Sequence, residues 1–158
     1  MPKDHIRDYA TAAFRFYARW GGRQNYLDNL FADITRHKGS GIGSPTETEM
    51  IKREQLLKER YAEIADMTAV ETVFHILDVH RPEIRKAIEM VYMHNPFVDL
   101  EWGDIKKRVK YAAHTIPASE RQIYRWLWRA RRLFAEERGI RMWDNHENGH
   151  QKKMEGDE

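Results

Sequence analysis

The fold is decided by residues 102–138, WGDIKKRVKYAAHTIPASERQIYRWLWRARRLFAEER. This stretch is typical of two helices separated by a short break at Pro117 and Ser119. Proline disfavours helical backbone in the residue before it, so Ile116 is expected to be extended. The Ser119 hydroxyl can accept a hydrogen bond from the amide of Gln122, whose side chain can reach back to the amide of Ser119. The pattern therefore predicts a helix-turn-helix unit.

The second helix of this unit has an apolar side and a side rich in arginine. Its inward residues recur at helical spacing and are Ile123, Leu127, Ala130 and Phe134. Tyr124 and Trp128, four residues apart, are also expected to pack in the core, with contact to the sugars and thymine methyl groups of DNA as the alternative. The arginine-rich side of the helix is therefore expected to face solvent, where it can contact a ligand.

The first turns of a recognition helix lie deepest in the major groove, where arginine pairs with guanine and glutamine with adenine. The candidate base-reading residues are Arg121, Gln122 and Arg125. Cations and hydroxyls around them are better suited to phosphates, which give affinity rather than sequence choice. The candidate phosphate-binding residues are Lys106, Lys107, Lys110, Ser119, Arg129 and Arg132.

Charge is distributed unevenly along the chain, although the formal net charge is only +2. Residues 102–143 hold eleven Lys or Arg against four Asp or Glu, whereas the remainder holds 16 against 21. Such a separation indicates that one end of the chain meets a polyanion. The alternative is a solvated basic helix whose arginines pair with Glu136 and Glu137.

Two helices are predicted before the basic unit and would complete a four-helix DNA-binding domain over residues 67–143. The first begins with the capping box of Thr68 and Glu71 and ends near His80. The second begins at Pro82 and ends before Asn95-Pro96.

A charged helix is predicted over residues 47–66, starting at Ser44-Pro45-Thr46-Glu47. Met50, Leu57 and Ile64 recur every seven residues along it. This seam is expected to pack on the domain. Pairing with a second chain as a coiled coil, which would make a homodimer, is the open alternative.

Residues 1–37 are predicted to form aromatic-rich helices, the first over residues 4–20 and the second over 24–36. The first helix is expected to pack its apolar stripe in the core. Phe14 falls off that stripe, so a docking surface for a partner is the alternative. Residues 38–46 are rich in Gly and Ser and are expected to be a flexible linker. They lack the Lys-Ser/Thr ending of a phosphate-binding P-loop.

The 158 residues include 41% hydrophobic residues and no Cys, which excludes disulfide scaffolds and thiolate metal sites. No apolar run approaches the roughly 18 residues that a membrane span needs. No stretch alternates with a two-residue period, so the fold class is expected to be all-α. A cytoplasmic protein without membrane contact is the expectation.

No pattern in the chain indicates an enzyme. The eight His form no HExxH pairing, and there is no Ser or Cys nucleophile motif. His146 and His150 lie four apart, but in the polar tail 144–158, which is expected to be disordered. We therefore expect no catalytic residues, no metal site and no cofactor.

Residues 84–139, with the segments IRKAIEMVYM, WGDIKKRVKYAA and SERQIYRWLWRARRLFAEERG, resemble region 4 of bacterial sigma factors. They are more similar still to small phage regulators of the RinA and ArpU type. In that pattern Trp102 and Ile105 open the first helix of the motif and Ser119 caps the recognition helix. The resemblance implies a sigma-region-4-like domain in a transcription regulator of phage or prophage genes, which reads double-stranded DNA with the helix 119–137.

Two other functions fit the same residues. A small terminase-like subunit for phage DNA packaging also uses helix-turn-helix units, but assembles into rings. An RNA polymerase-interacting protein would act through its aromatic N-terminal helices.

Overall fold

The computed structural model describes residues 4–36 and 46–140. These residues contain no strand and form seven α-helices: α1 (His5–Trp20), α2 (Arg23–Arg36), α3 (Glu47–Glu59), α4 (Tyr61–His80), α5 (Pro82–Ile88), α6 (Asp104–Thr115) and α7 (Glu120–Arg138). A π-helical turn, Glu89–Met93, continues α5. The all-α prediction is confirmed. The predicted tail 144–158 and all of the predicted linker except Thr46 lie outside the described residues.

Most helix ends fall where the sequence marks them. The Asp4 side chain accepts from the amide of Arg7 at 2.9 Å, and Gly21 ends α1 in the left-handed conformation at φ 69°. Pro82 lies in the first turn of α5, where amide groups have no hydrogen-bond acceptor within the helix, so proline's lack of an amide hydrogen costs nothing there. Local chemistry is thus sufficient to set these boundaries.

The boundary between α3 and α4 differs from the prediction. The break lies at Arg60, and α4 runs without interruption through residue 68, so a helix start at Thr68 is wrong. The Thr68 hydroxyl donates to the carbonyl of Ile64 at 2.9 Å, as threonine does inside a helix. At the start of α3, Thr46 is the cap and accepts from the amide of Glu49 at 3.3 Å.

Phe14 lies at the centre of the core, so its predicted place off the buried side of α1 is wrong. It is 0% exposed, and its ring centre lies 5.8 to 6.3 Å from those of Phe74, Tyr92 and Phe134. The physical reason is that α1 contacts α4, α7 and the π-helical turn together, which buries a wider strip than one neighbour would.

The last described helix, α7, packs against four other helices: α1, α4, α5 and α6. Its last turn is fixed by an ion pair, because the Nε of Arg138 lies 2.6 Å from a carboxylate oxygen of Asp66 on α4. The same carboxylate accepts from the hydroxyl of Tyr9 on α1 at 2.7 Å. These contacts join the ends of three helices.

The loop between the π-helical turn and α6 is held by arginines. Arg15, which is buried, donates to the carbonyls of Tyr92 at 2.9 Å and Asn95 at 3.3 Å, and also to that of Val98. Arg108 donates to the carbonyl of His94 at 2.7 Å. The loop is therefore ordered.

This ordered loop presents apolar side chains to solvent. Trp102 is fully exposed and Phe97 is 77% exposed. Trp102 lies before α6 rather than in its first turn, which begins at Asp104.

Across residues 4–36 and 46–140, none of the helices combines the length and apolarity that a membrane crossing requires.

We expect Phe14→Ala to lower the free energy of unfolding by about 3–5 kcal/mol, because it empties a fully enclosed aromatic site. Urea unfolding followed by circular dichroism measures this. The matched control is Phe97→Ala, which removes the same atoms from an exposed site and should change stability by less than about 0.5 kcal/mol. Equal effects of the two substitutions would contradict the placement of Phe14 in the core.

Candidate nucleic-acid interface

The α6–α7 unit has the turn that its sequence predicts. Ile116 is extended, with φ −94° and ψ 129°, and its amide donates to the carbonyl of Ala112 at 2.7 Å. Ser119 caps α7, and its hydroxyl oxygen accepts from the amide of Gln122 at 3.1 Å. The predicted break and cap are confirmed.

The inner side of α7 contains all four predicted core residues, each no more than 1% exposed: Ile123, Leu127, Ala130 and Phe134. Trp126 joins them at 8% exposure, whereas Tyr124 is 43% exposed. The expectation that Tyr124 packs in the core is therefore wrong, because Trp126 lies nearer the buried side of the helix. Trp128 is partly exposed.

The outer side of α7 presents the candidate base-reading residues to solvent. Arg121, Gln122 and Arg125 are all exposed, and they occupy the first two turns of the helix. Arg121, Arg125 and Arg132 follow one another at helical spacing. At 1.5 Å per residue, the row they form is about 16 Å long.

A groove beside this row collects several of the predicted residues. Its lining includes Gln122, Arg125, Trp126, Trp128, Arg129 and Arg132, together with Arg81 from the junction of α4 and α5. Arg121 is outside the groove. The sequence did not indicate Arg81, because its approach to α7 is a contact between segments more than 40 residues apart in the chain.

The arginines of α7 differ in how they are engaged. Arg132 pairs with Glu136 at 3.3 Å and lies over the ring of Trp128 at 5.4 Å. Within residues 4–36 and 46–140, the side chains of Arg121, Arg125 and Arg129 have no ion pair or hydrogen bond. The alternative of a helix neutralised by its own glutamates therefore accounts for only one of these four arginines.

Two further arginines of the basic unit have structural roles. Arg131 donates to the hydroxyl of Tyr92 at 2.7 Å, and Arg108 donates to carbonyls at the end of the π-helical turn. Both side chains are partly buried. Their hydrogen bonds attach α6 and α7 to the π-helical turn, so these guanidinium groups are only partly accessible to a ligand.

The three candidate lysines of α6 are exposed, on a different part of the surface. Lys107 lies beside Met90, His94 and Tyr111, and Lys106 and Lys110 flank it on the same helix. None of the three contributes to the groove along α7. The structure therefore divides the predicted positive surface into an α7 row and an α6 patch.

Among the described residues, no group of three or more His, Cys, Asp or Glu side chains is arranged to hold a metal ion. His146 and His150 lie outside the described residues. The arrangement of exposed guanidinium, amide and ammonium groups is suited to hydrogen bonding and charge attraction.

Comparison with known proteins does not assign the chain to a family. No family model, no curated protein and no solved structure matches it.

We expect Ser119→Ala to lower the free energy of unfolding by about 1 kcal/mol, because the amide of Gln122 loses its acceptor. Ser119→Asp keeps an acceptor and adds charge that favours the helix start, so its stability should match the wild type. Thermal unfolding of the two variants measures the difference. Equal stability of the alanine and aspartate variants would show that the cap contributes nothing.

Proposed function

We propose that the protein is a sequence-specific DNA-binding transcription regulator that reads the major groove with α7. The observation that carries this proposal is the exposure of Arg121, Gln122 and Arg125 on the first two turns of a helix held by a buried core. Base-edge recognition requires such side chains on a rigid element. The resemblance to phage regulators of the RinA and ArpU type supports phage or prophage genes as the targets.

The dimensions of α7 suit this role. The major groove is roughly 12 Å wide and admits one α-helix. The arginine row of about 16 Å extends beyond that width, so its two ends would meet different parts of the duplex. Arg121 and Arg125 are assigned to base edges. Arg129 and Arg132, further along the helix, are assigned to the phosphate backbone.

The remaining assignments follow from charge and exposure. The first helix of such a unit crosses the DNA backbone. We therefore assign three lysines of α6 to phosphates at the edge of the DNA major groove: Lys106, Lys107 and Lys110. The Ser119 oxygen is used by the cap, but its hydrogen is free to donate to a phosphate. The positive end of the α7 dipole adds to the attraction for phosphate at this point.

Selection of bound sequences from a random DNA pool should return a defined motif. On that motif, we expect Arg125→Ala and Gln122→Ala each to cost about 1–3 kcal/mol of binding free energy and to relax the choice of one base pair. Lys107→Ala should weaken binding to all DNA sequences alike and reduce the magnitude of the slope of log affinity against log salt by about one. Fluorescence anisotropy at several salt concentrations measures both effects.

The matched control is Arg7→Ala, which removes an exposed arginine from α1 and should leave DNA affinity unchanged. Ser119→Asp provides a second control, since it keeps the cap and adds a negative charge beside the phosphates. It should bind DNA more weakly than Ser119→Ala despite its greater stability. Absence of duplex binding at low salt would contradict the proposal.

A second candidate function is an RNA polymerase-interacting protein, with the partner docked on the loop before α6. Supporting it are the full exposure of Trp102 and the 77% exposure of Phe97 on a loop that arginines hold in place. Exposed aromatics on ordered backbone are typical of contacts between proteins. The N-terminal aromatics fit this role less well, since Phe14 is enclosed.

We expect Trp102→Ser to reduce capture of purified RNA polymerase by the immobilised protein at least several-fold, while affinity for DNA is unchanged. The matched control is Val79→Ser, which removes an exposed apolar side chain from the end of α4. Capture that is absent in the wild type, or unaffected in the Trp102 variant, would eliminate this candidate.

A further inference from the structure

One side of α3 presents apolar side chains that no element within residues 4–36 and 46–140 covers. α3 contains no buried residue, and Met50, Ile51 and Leu57 are 54%, 58% and 40% exposed. Tyr61, just beyond its end, is 69% exposed. The expectation that the seam packs on the domain is therefore wrong for Met50 and Leu57, whereas its third residue, Ile64, is partly buried and belongs to α4.

The opposite side of α3 explains why this surface is left open. The Arg53 guanidinium lies 5.4 Å from the ring centre of Phe31 on α2, and Leu56 is partly buried on the same side. α3 contacts α2 and, less extensively, α4. Within the described part of the chain, α3 is therefore attached along one side, and its apolar side faces away from the other described helices.

The order of charges along α3 selects the occupant of this surface. Glu47 stands at the start of the helix and Lys58 near its end, and both are exposed. In a second copy placed antiparallel, with a two-fold axis between residues 53 and 54, Met50 faces Leu57. Glu47 of each copy then lies within one helical turn of Lys58 of the other, whereas the two copies of Glu54 meet beside the axis. Two attractive pairs therefore flank the apolar contact, and one like-charge pair lies at its centre.

A parallel arrangement does not have this complementarity. It would place Glu47 against Glu47 and Lys58 against Lys58, and like charges across a helix pair are destabilising. A partner of unrelated sequence would have no reason to match both the apolar spacing and the charge order. The Glu54 pair is common to both directions, so Glu47 and Lys58 decide between them, and these two residues favour the antiparallel arrangement.

We propose that the protein forms a homodimer through antiparallel contact of α3 with α3 of a second copy. The contact is isologous, as expected for a two-fold dimer. Since α3 has 13 residues and is only about 20 Å long, the interface is smaller than those of stable complexes, and the dimer should be weak. The proposal does not depend on DNA binding, and its tests contain no DNA.

Sedimentation velocity over the micromolar range should give a monomer–dimer equilibrium for the full chain. Leu57→Asp should weaken the dimer at least tenfold without unfolding the chain, because Leu57 is exposed in the single chain. Val79→Asp, which changes an equally apolar exposed residue on α4, should have no effect. A chain that is monomeric throughout, or a dimer indifferent to Leu57→Asp, would overturn the proposal.

Charge exchange tests the direction of the two helices. Glu47→Lys and Lys58→Glu should each weaken the dimer, because each places like charges together. The double variant should regain the affinity of the wild type in the antiparallel arrangement, since the two attractive contacts return with their signs reversed. In a parallel arrangement the double variant gains nothing, and that result would overturn the proposed orientation.

Cross-linking locates the two-fold axis, because the chain has no Cys and a single one can be introduced. Glu54→Cys, beside the axis, should form a disulfide-linked dimer under mild oxidation. Glu47→Cys should not, since its two copies would be about 20 Å apart and a disulfide needs Cα atoms within about 7 Å. Cross-linking of Glu47→Cys but not Glu54→Cys would overturn the arrangement.

Discussion

The structure depends on the burial of one side of α7. Phe134 and Leu127 are almost completely enclosed, and α1, α4, α5 and α6 all contact this helix. Burial of apolar surface provides the free energy that fixes α7, and it also decides which side chains point outward. The exposed arginine row is a consequence of that packing, because a helix with one side buried must present its remaining residues to solvent.

The features that could be predicted from the sequence are those set by neighbouring residues. The break at Pro117, the cap at Ser119 and the start of α5 at Pro82 each arise from local backbone chemistry. The features that could not be predicted depend on distant contacts. Phe14 is enclosed by rings from three other segments. Thr68 has the residue type and spacing of a helix cap, but it lies in the middle of α4 and donates to the carbonyl of Ile64.

Arginine illustrates the same limit at the candidate site. Arg108, Arg125 and Arg131 lie in one basic stretch and have identical side chains. Arg108 and Arg131 are engaged by the π-helical turn, whereas Arg125 is exposed. Periodicity placed Arg125 outward correctly, since it stands opposite the apolar positions of α7. It could not identify which cations are needed by carbonyl and hydroxyl groups elsewhere in the fold.

The π-helical turn has a consequence for how the two halves of the chain depend on each other. The last carbonyls of a helical segment lack partners within it. Here those of Val91 and Tyr92 are satisfied by Arg108 from α6 and by Arg15 from α1. The carbonyl of Tyr92 receives the hydrogen bond from Arg15 only after α1 has docked, so α1 completes the C-terminal half. A gene fragment that starts at α5 would encode a helix end with an unsatisfied carbonyl and an uncovered core.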